Sequence, residues 1–363
     1  AQPSGAALIS FNAPAYCSFC REQNLNAPVG KYAAFAYTTA LNTLLADNRH
    51  VKQVGDTTIV YWSEEADTQS QDVFAAILDG AGDTVTDKDL DDVMTAVSLG
   101  EAVDWNGLPV KPNNRFYVLG LAPNAARISV RFFLMDPFGN MVRNMKEHYE
   151  RLEIVPDNRN KWKNIPLWAL LRETANQKTN DKPSPQMSGD MLRAVLTSGR
   201  YPATIYNQVN LRIRAEHDIT RGRAAIIKAY LLQNTQEDHL KEVSTVALNE
   251  QSEYTPYVLG RLFSVLEGTQ QAANPGINST IKDRFFNSAC ATPAAVFPIL
   301  LKLANSHLRK LEGGMQSYWS KQIGDLTVKL DGFPYNLSLH DQGAFILGYY
   351  HQTQKRYEKK EDK

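Results

Sequence analysis

An α+β chain is what this sequence predicts: a mixed α/β amino-terminal half built on a sheet with a β-hairpin, followed by an all-α helical bundle. Two observations carry the prediction. Stretches rich in β-branched and aromatic residues stand at 55–65 and 116–135, the second alternating at period two, and from Asp190 onward helical stretches with short connections take over. The length, 363 residues, corresponds to about two domains at roughly 150 residues each. With 43% hydrophobic and 21% charged residues, the chain has the composition of a folded protein with real cores rather than a disordered one.

Taken in order, residues 33–45 (AAFAYTTALNTLL) have helix propensity and no breaker. Gly55-Asp56 makes a turn and TTIVYW a strand after it, and helices are expected near 69–79 and 88–98. Phe116–Leu121 and Arg127–Met135 read as paired strands joined around Pro123-Asn124. In the second strand, period two puts Ile128, Val130, Phe132 and Leu134 on a core face, with Arg127, Ser129, Arg131 and Phe133 outward. The helix that follows aligns Val142, Met145, Tyr149 and Leu152 on one stripe. Residues 156–188 hold four prolines among many Asn and Lys and form a boundary. Gly199-Arg200-Tyr201-Pro202 stops one helix and starts another. Further helices are expected near 222–233, 255–271, 293–311, 316–330 and 339–357, with Val258, Leu259, Leu262, Phe263 and Leu266 on one apolar stripe. The expected organisation is a mixed α/β domain over 1–160, a proline-rich linker and basic helical region over 161–241, and a helical bundle over 242–363.

The formal charge is zero, with 39 basic and 39 acidic residues, but this is a cancellation. Residues 1–110 hold 5 basic and 15 acidic side chains, 111–230 hold 20 and 10, and 231–363 hold 14 and 14. A local excess of positive charge attracts a polyanion because screening weakens distant acids more than nearby bases. The acid run Asp83, Asp87, Asp89, Asp91 and Asp92 lacks the glycine and glutamate spacing of a calcium loop and suits a helix amino terminus.

Several chemistries are excluded. The uncharged run 285–301 is too short for a membrane span and is broken by Pro293 and Pro298. Residues 1–12 lack the pattern of a signal peptide, and a chain starting at Ala1 rather than Met is expected to be a fragment. Three cysteines make no disulfide framework, so a cytoplasmic setting is expected. Cys17 and Cys20 form a lone C-x-x-C with neither a zinc ligand set nor a thioredoxin-like context. His340-Asp341 lacks the further ligands of a metal hydrolase and reads as structural or cap-like. No P-loop and no nucleophile–base constellation is present, so no enzyme, metal or cofactor is expected.

LISFNAPAY (8–16), LNAP (25–28), AAFAYTTALNTLL (33–45) and GDTTIVYWSEE (55–65) together resemble the large subunit of the subtype I-C CRISPR surveillance complex, Cascade (the Cas-eight-c family). The likeness continues through SGRYPATIYNQVNLRIRAE (198–216), RAAIIKAYLL (223–232), 259–303 and SLHDQGAFILGYYHQ (338–352), in family order over nearly the whole chain. The resemblance implies a non-catalytic subunit that binds target double-stranded DNA and the displaced single strand. It also implies partnership with the other Cascade subunits and crRNA, with a recruited helicase-nuclease, and with a small subunit made from a start near residue 242. Family members are longer at the amino terminus, where recognition of the protospacer-adjacent motif (PAM) is expected. In RNA-guided recognition base pairing reads the sequence, while the protein grips backbone and displaced strand. The candidate DNA-binding residues are therefore Arg127 and Arg131 on the sheet, Arg200, Arg212, Arg214, Arg221, Arg223 and Lys228 on or between helices, and Arg261, Lys282 and Arg284 in the bundle. Arg212 and Arg214 stand about 200° apart on a helix, so one of them is structural.

Overall fold

The computed structural model describes residues 13–358 except 66, 81–85, 102, 125–126, 158–161 and 180. The fold class is the expected one, a small antiparallel sheet in the amino-terminal half and mostly helices in the carboxy-terminal half. The chain clusters into two compact units: Ala1–Glu147 with Pro166–Leu171 and Lys182–Gly199, and His148–Ile165 with Arg172–Asp181 and Arg200–Lys363.

In the first unit, helix α1 (Lys31–Ala46) precedes a hairpin of β1 (Val51–Val54) and β2 (Thr57–Ser63), turned by Gly55 at φ 62°. Helices α2 (Thr68–Asp79) and α3 (Asp87–Ser98) follow. Asp67 caps α2 through the N–H groups of Gln69 and Ser70, and Thr86 caps α3 through that of Asp89. The aspartates 87–92 thus lie in the first turns of α3, where carboxylates suit the dipole, and Asp83 is outside the described residues. A two-stranded ribbon, β3 (Val103–Trp105) and β4 (Leu108–Val110), had no signal strong enough to be expected. Strands β5 (Arg115–Asn124) and β6 (Arg127–Pro137) complete an antiparallel sheet of order β1-β2-β5-β6. Pro123 and Asn124 belong to β5, and their connection to β6 lies outside the described residues. Tyr61, Phe74, Phe116 and Phe138 pack ring to ring on the core face at 4.8–6.1 Å.

The alternation expected along β6 fails at one point. Gly120 faces Phe132 but Leu121 faces Val130, so Arg131 is an extra residue in a β-bulge. A bulge inverts parity on one side of itself. Val130 is therefore 53% exposed on the same face as Phe133, Tyr117 and Trp62, instead of in the core. Arg131 does not stand beside Phe133; it is half-buried near Gly189, with its guanidinium 3.6 Å from Asp56.

Helix α4 (Phe138–Leu152) buries Val142, Met145, Tyr149 and Leu152 as its period requires. The short helix α5 (Leu167–Arg172) and α6 (Met187–Leu196) follow. The second unit is helical: α7 (Ala203–Glu216), α8 (Arg221–Asn234), α9 (Asp238–Val243), α10 (Thr255–Ala273), α11 (Ile281–Ala291), α12 (Pro293–Leu308), α13 (Gly313–Thr327) and α14 (Leu339–Tyr357). The expected single stripe on 258–266 is instead a helix buried on every side from Pro256 to Thr269. It packs on α14 through two glycines, because a Cβ at Gly260 would overlap the Phe345 carbonyl and one at Gly348 the Tyr257 carbonyl. Asp341 shares a capping box with Ser338 at the start of α14, which accounts for the His340-Asp341 pair.

Two histidines of this unit are buried and neutral. His148 meets the Tyr201 hydroxyl at 2.7 Å and His351 that of Tyr257 at 2.9 Å, and burial pulls each down to about 3. A folded-state value below the unfolded 6.5 means stability is complete above about pH 6.5 and is lost as pH falls toward 3. Unfolding free energies from urea titration should therefore fall between pH 7 and pH 5 by about 2 kcal/mol per histidine. Gly348→Ala should cost about 3 kcal/mol or more by overpacking, read from the same titrations.

Candidate nucleic-acid interface

The eleven candidate cations divide by burial. On α8, Arg221, Arg223 and Lys228 are 6%, 1% and 3% exposed. Arg221 donates to the carbonyls of Trp162 and Lys163. Lys228 donates to those of Glu150 and Arg151 at 3.4 and 2.9 Å, at the carboxy-terminal end of α4, where the dipole favours a cation. Burial nevertheless draws the Lys228 ammonium down to about 8. Arg223 pairs with Glu216 and with Glu173 at 3.3 Å, and donates to the Asp218 carbonyl at 2.8 Å. Gly222 makes room for this, since a Cβ there would lie 2.8 Å from the Glu173 side chain. On α10, Arg261 is also buried, bonded to Gln352 and to the carbonyls of Asn249 and Glu250. In this conformation these four hold the fold together rather than face solvent.

Arg212 pairs with Glu216 at 3.4 Å on α7, and Arg214, on another side of the same helix, is exposed. Arg214 also donates to the buried Gln342, so each of the two arginines makes an intramolecular contact. Arg131 is tied to Asp56, and the side chain of Arg127 lies outside the described residues. Arg200 is exposed between helices.

What remains comes together at the meeting of α7 and α11. Asn287 donates to the Arg214 carbonyl at 3.0 Å and its amide lies 3.2 Å from the His217 ring nitrogen. His217 caps α7 in a left-handed conformation, φ 51°, which turns the chain and leaves the ring beside α11. Arg284, exposed, lies 5.0 Å over the Phe285 ring, and the Lys282 ammonium lies 5.5 Å over Tyr349. Asp283 is the acid within the group. The Thr280 N–H holds its carboxyl below the usual range, with His217 and Lys282 adding to the effect. Arg214 and Arg284 thus stand as exposed cations beside the Asn287 contact, with the Phe285 ring beneath Arg284, whereas Lys282, about 200° from Arg284 around α11, lies over the buried Tyr349 on another face. That chemistry suits phosphate oxygens and base faces. Sequence reading picked out both of these arginines. It missed His217 and Asn287, because no local pattern marks a pair brought together across 70 residues.

Among the described residues no group of three or more His, Cys, Asp or Glu side chains converges to hold a metal ion, and Cys17 and Cys20 are exposed free thiols. No helix among them is long and apolar enough to cross a membrane. The profile of a family described as CRISPR-associated protein (Cas_Csd1) matches residues 1–357. No curated protein matches the chain.

The division between internal and surface cations has a measurable consequence. Arg223→Ala removes a buried guanidinium shared by Glu216 and Glu173 and should cost about 3–5 kcal/mol, whereas Arg284→Ala should stay within about 0.5 kcal/mol, both as unfolding free energies from urea titration.

Proposed function

The chain belongs to the CRISPR-associated Cas_Csd1 family, and from that premise we propose that it binds target double-stranded DNA, supports PAM recognition and R-loop formation, and holds the displaced strand. The family is that of the large subunit of the type I-C Cascade. In such a complex the guide RNA reads sequence by pairing, and protein cations on rigid elements grip the backbone. The observation that carries the reading is the α7–α11 patch, where exposed cations from two helices meet through Asn287. Arg200 adds an exposed cation at the start of the same unit. In this reading the partners are the other Cascade subunits with crRNA, a small subunit corresponding to about residue 242 onward, and a recruited helicase-nuclease. The setting is the cytoplasm.

A second reading, a protein–protein scaffold without direct DNA contact, is favoured by the burial of Arg221, Arg223, Lys228 and Arg261. Much of the basic surplus of the middle third is used inside the protein under either reading.

Salt dependence separates the two. Each phosphate contact to duplex contributes about −0.9 to the slope of log affinity against log salt. Complexes carrying Arg214→Ala with Arg284→Ala should assemble normally, bind target more weakly, and lose about 2 from that slope. An unchanged slope with lost assembly supports the scaffold and sinks the DNA assignment.

A further inference from the structure

We infer that the outer edge of β6 is a docking site for an extended strand of a partner protein, which joins the sheet through main-chain hydrogen bonds. The two edges of the sheet are built differently. β1 has four residues and carries Lys52, a short and charged form that discourages pairing. β6 has eleven residues and pairs only with β5. From Ile128 to Met135 no backbone group has a partner outside that ladder among the described residues. This stretch contains no proline and a single charged residue, Arg131, which is turned to Asp56.

The geometry dictates the occupant. A row of N–H and C=O groups at strand spacing is matched by a second extended backbone, whereas a helix uses its own groups internally. The bulge at Arg131 interrupts regular pairing, so the open stretch is Phe132–Asp136. Its flanking side chains agree with this. Phe133 and Met135 are 55% and 56% exposed, and Phe133 continues a ring stack with Tyr117 and Trp62 at 6.2 Å. An added strand with apolar side chains at alternate positions covers these residues by cross-strand pairing. Left open, an apolar segment of high β propensity is an aggregation hazard. The partner strand is thus uncharged on the side that meets Phe133 and Met135.

The inference rests on membership of a multi-subunit complex and is independent of the DNA-binding patch. Its test is hydrogen exchange on the full chain, alone and in the complex reconstituted with guide RNA but without target DNA. Every second amide of Phe132–Asp136 should exchange freely in the isolated chain. In the complex it should slow about 100-fold once partner exceeds Kd by about that factor. Met135→Lys and Val130→Lys, both at exposed positions, should abolish the slowing while leaving far-ultraviolet circular dichroism unchanged. Equal rates in the two states overturn the inference. Protection that grows with the concentration of the isolated chain also overturns it, by assigning the edge to a second copy. Because DNA is omitted, failure of the DNA reading shows only in the salt-dependence assay and failure of this inference only in exchange.

Discussion

The helical unit is organised around the charged groups buried on α8. A helix surrounded by protein from Arg221 to Leu231 would ordinarily exclude cations, since moving an unpaired charge out of water is expensive. Here each cation answers a specific need. Arg221 and Lys228 donate to loop and helix-end carbonyls, and Arg223 balances Glu216 and Glu173. These contacts tie residues 150–151, 162–163, 173, 216 and 218 to one helix. They also set where α7 ends, and so where His217 and Arg214 emerge.

The neighbouring elements transmit this constraint. Helix α14 approaches α7 and α8 closely at Gly343, where a Cβ would press on the Tyr206 hydroxyl and on Ile227. Gln342, next to it, accepts from Arg214, and Cys290 of α11 lies 3.7 Å from the Gln342 carbonyl. The surface patch therefore stands on packed helices. Capping boxes at Thr280/Asp283 and Ser338/Asp341 fix the starts of α11 and α14 on which it depends. Arg261, Glu267 and Tyr349 join a buried hydrogen-bond network in the same region, which favours one arrangement over several.

The sheet follows a different logic, in which backbone register rather than charge decides what is presented. A single inserted residue at Arg131 moves Val130 from the core face to the open one and directs Arg131 toward Asp56. The open face is consequently apolar and aromatic, with no mixture of arginine and phenylalanine. The two units thus present different surfaces: an apolar and aromatic strand face in one, and exposed arginines with an aromatic ring beneath one of them in the other.

Much of this was legible in the sequence. Helix propensity placed α1, the 3.6 period placed the buried stripe of α4, and Ser338 three residues before Asp341 is a local cap signal. These features depend on residues a few positions apart, so one strand of text contains them. Family resemblance, quoted in segments along the chain, was likewise a property of the sequence. The burial of Arg221, Arg223 and Lys228 was partly legible too, because α8 has apolar residues all round and no polar face. What only the tertiary structure decided was which cations reach solvent, which parity β6 adopts, and that Arg214 meets Asn287 across 73 positions. Exposure and pairing are set by contacts between distant segments, and two arginines that look alike in sequence differ only in what the rest of the chain places around them.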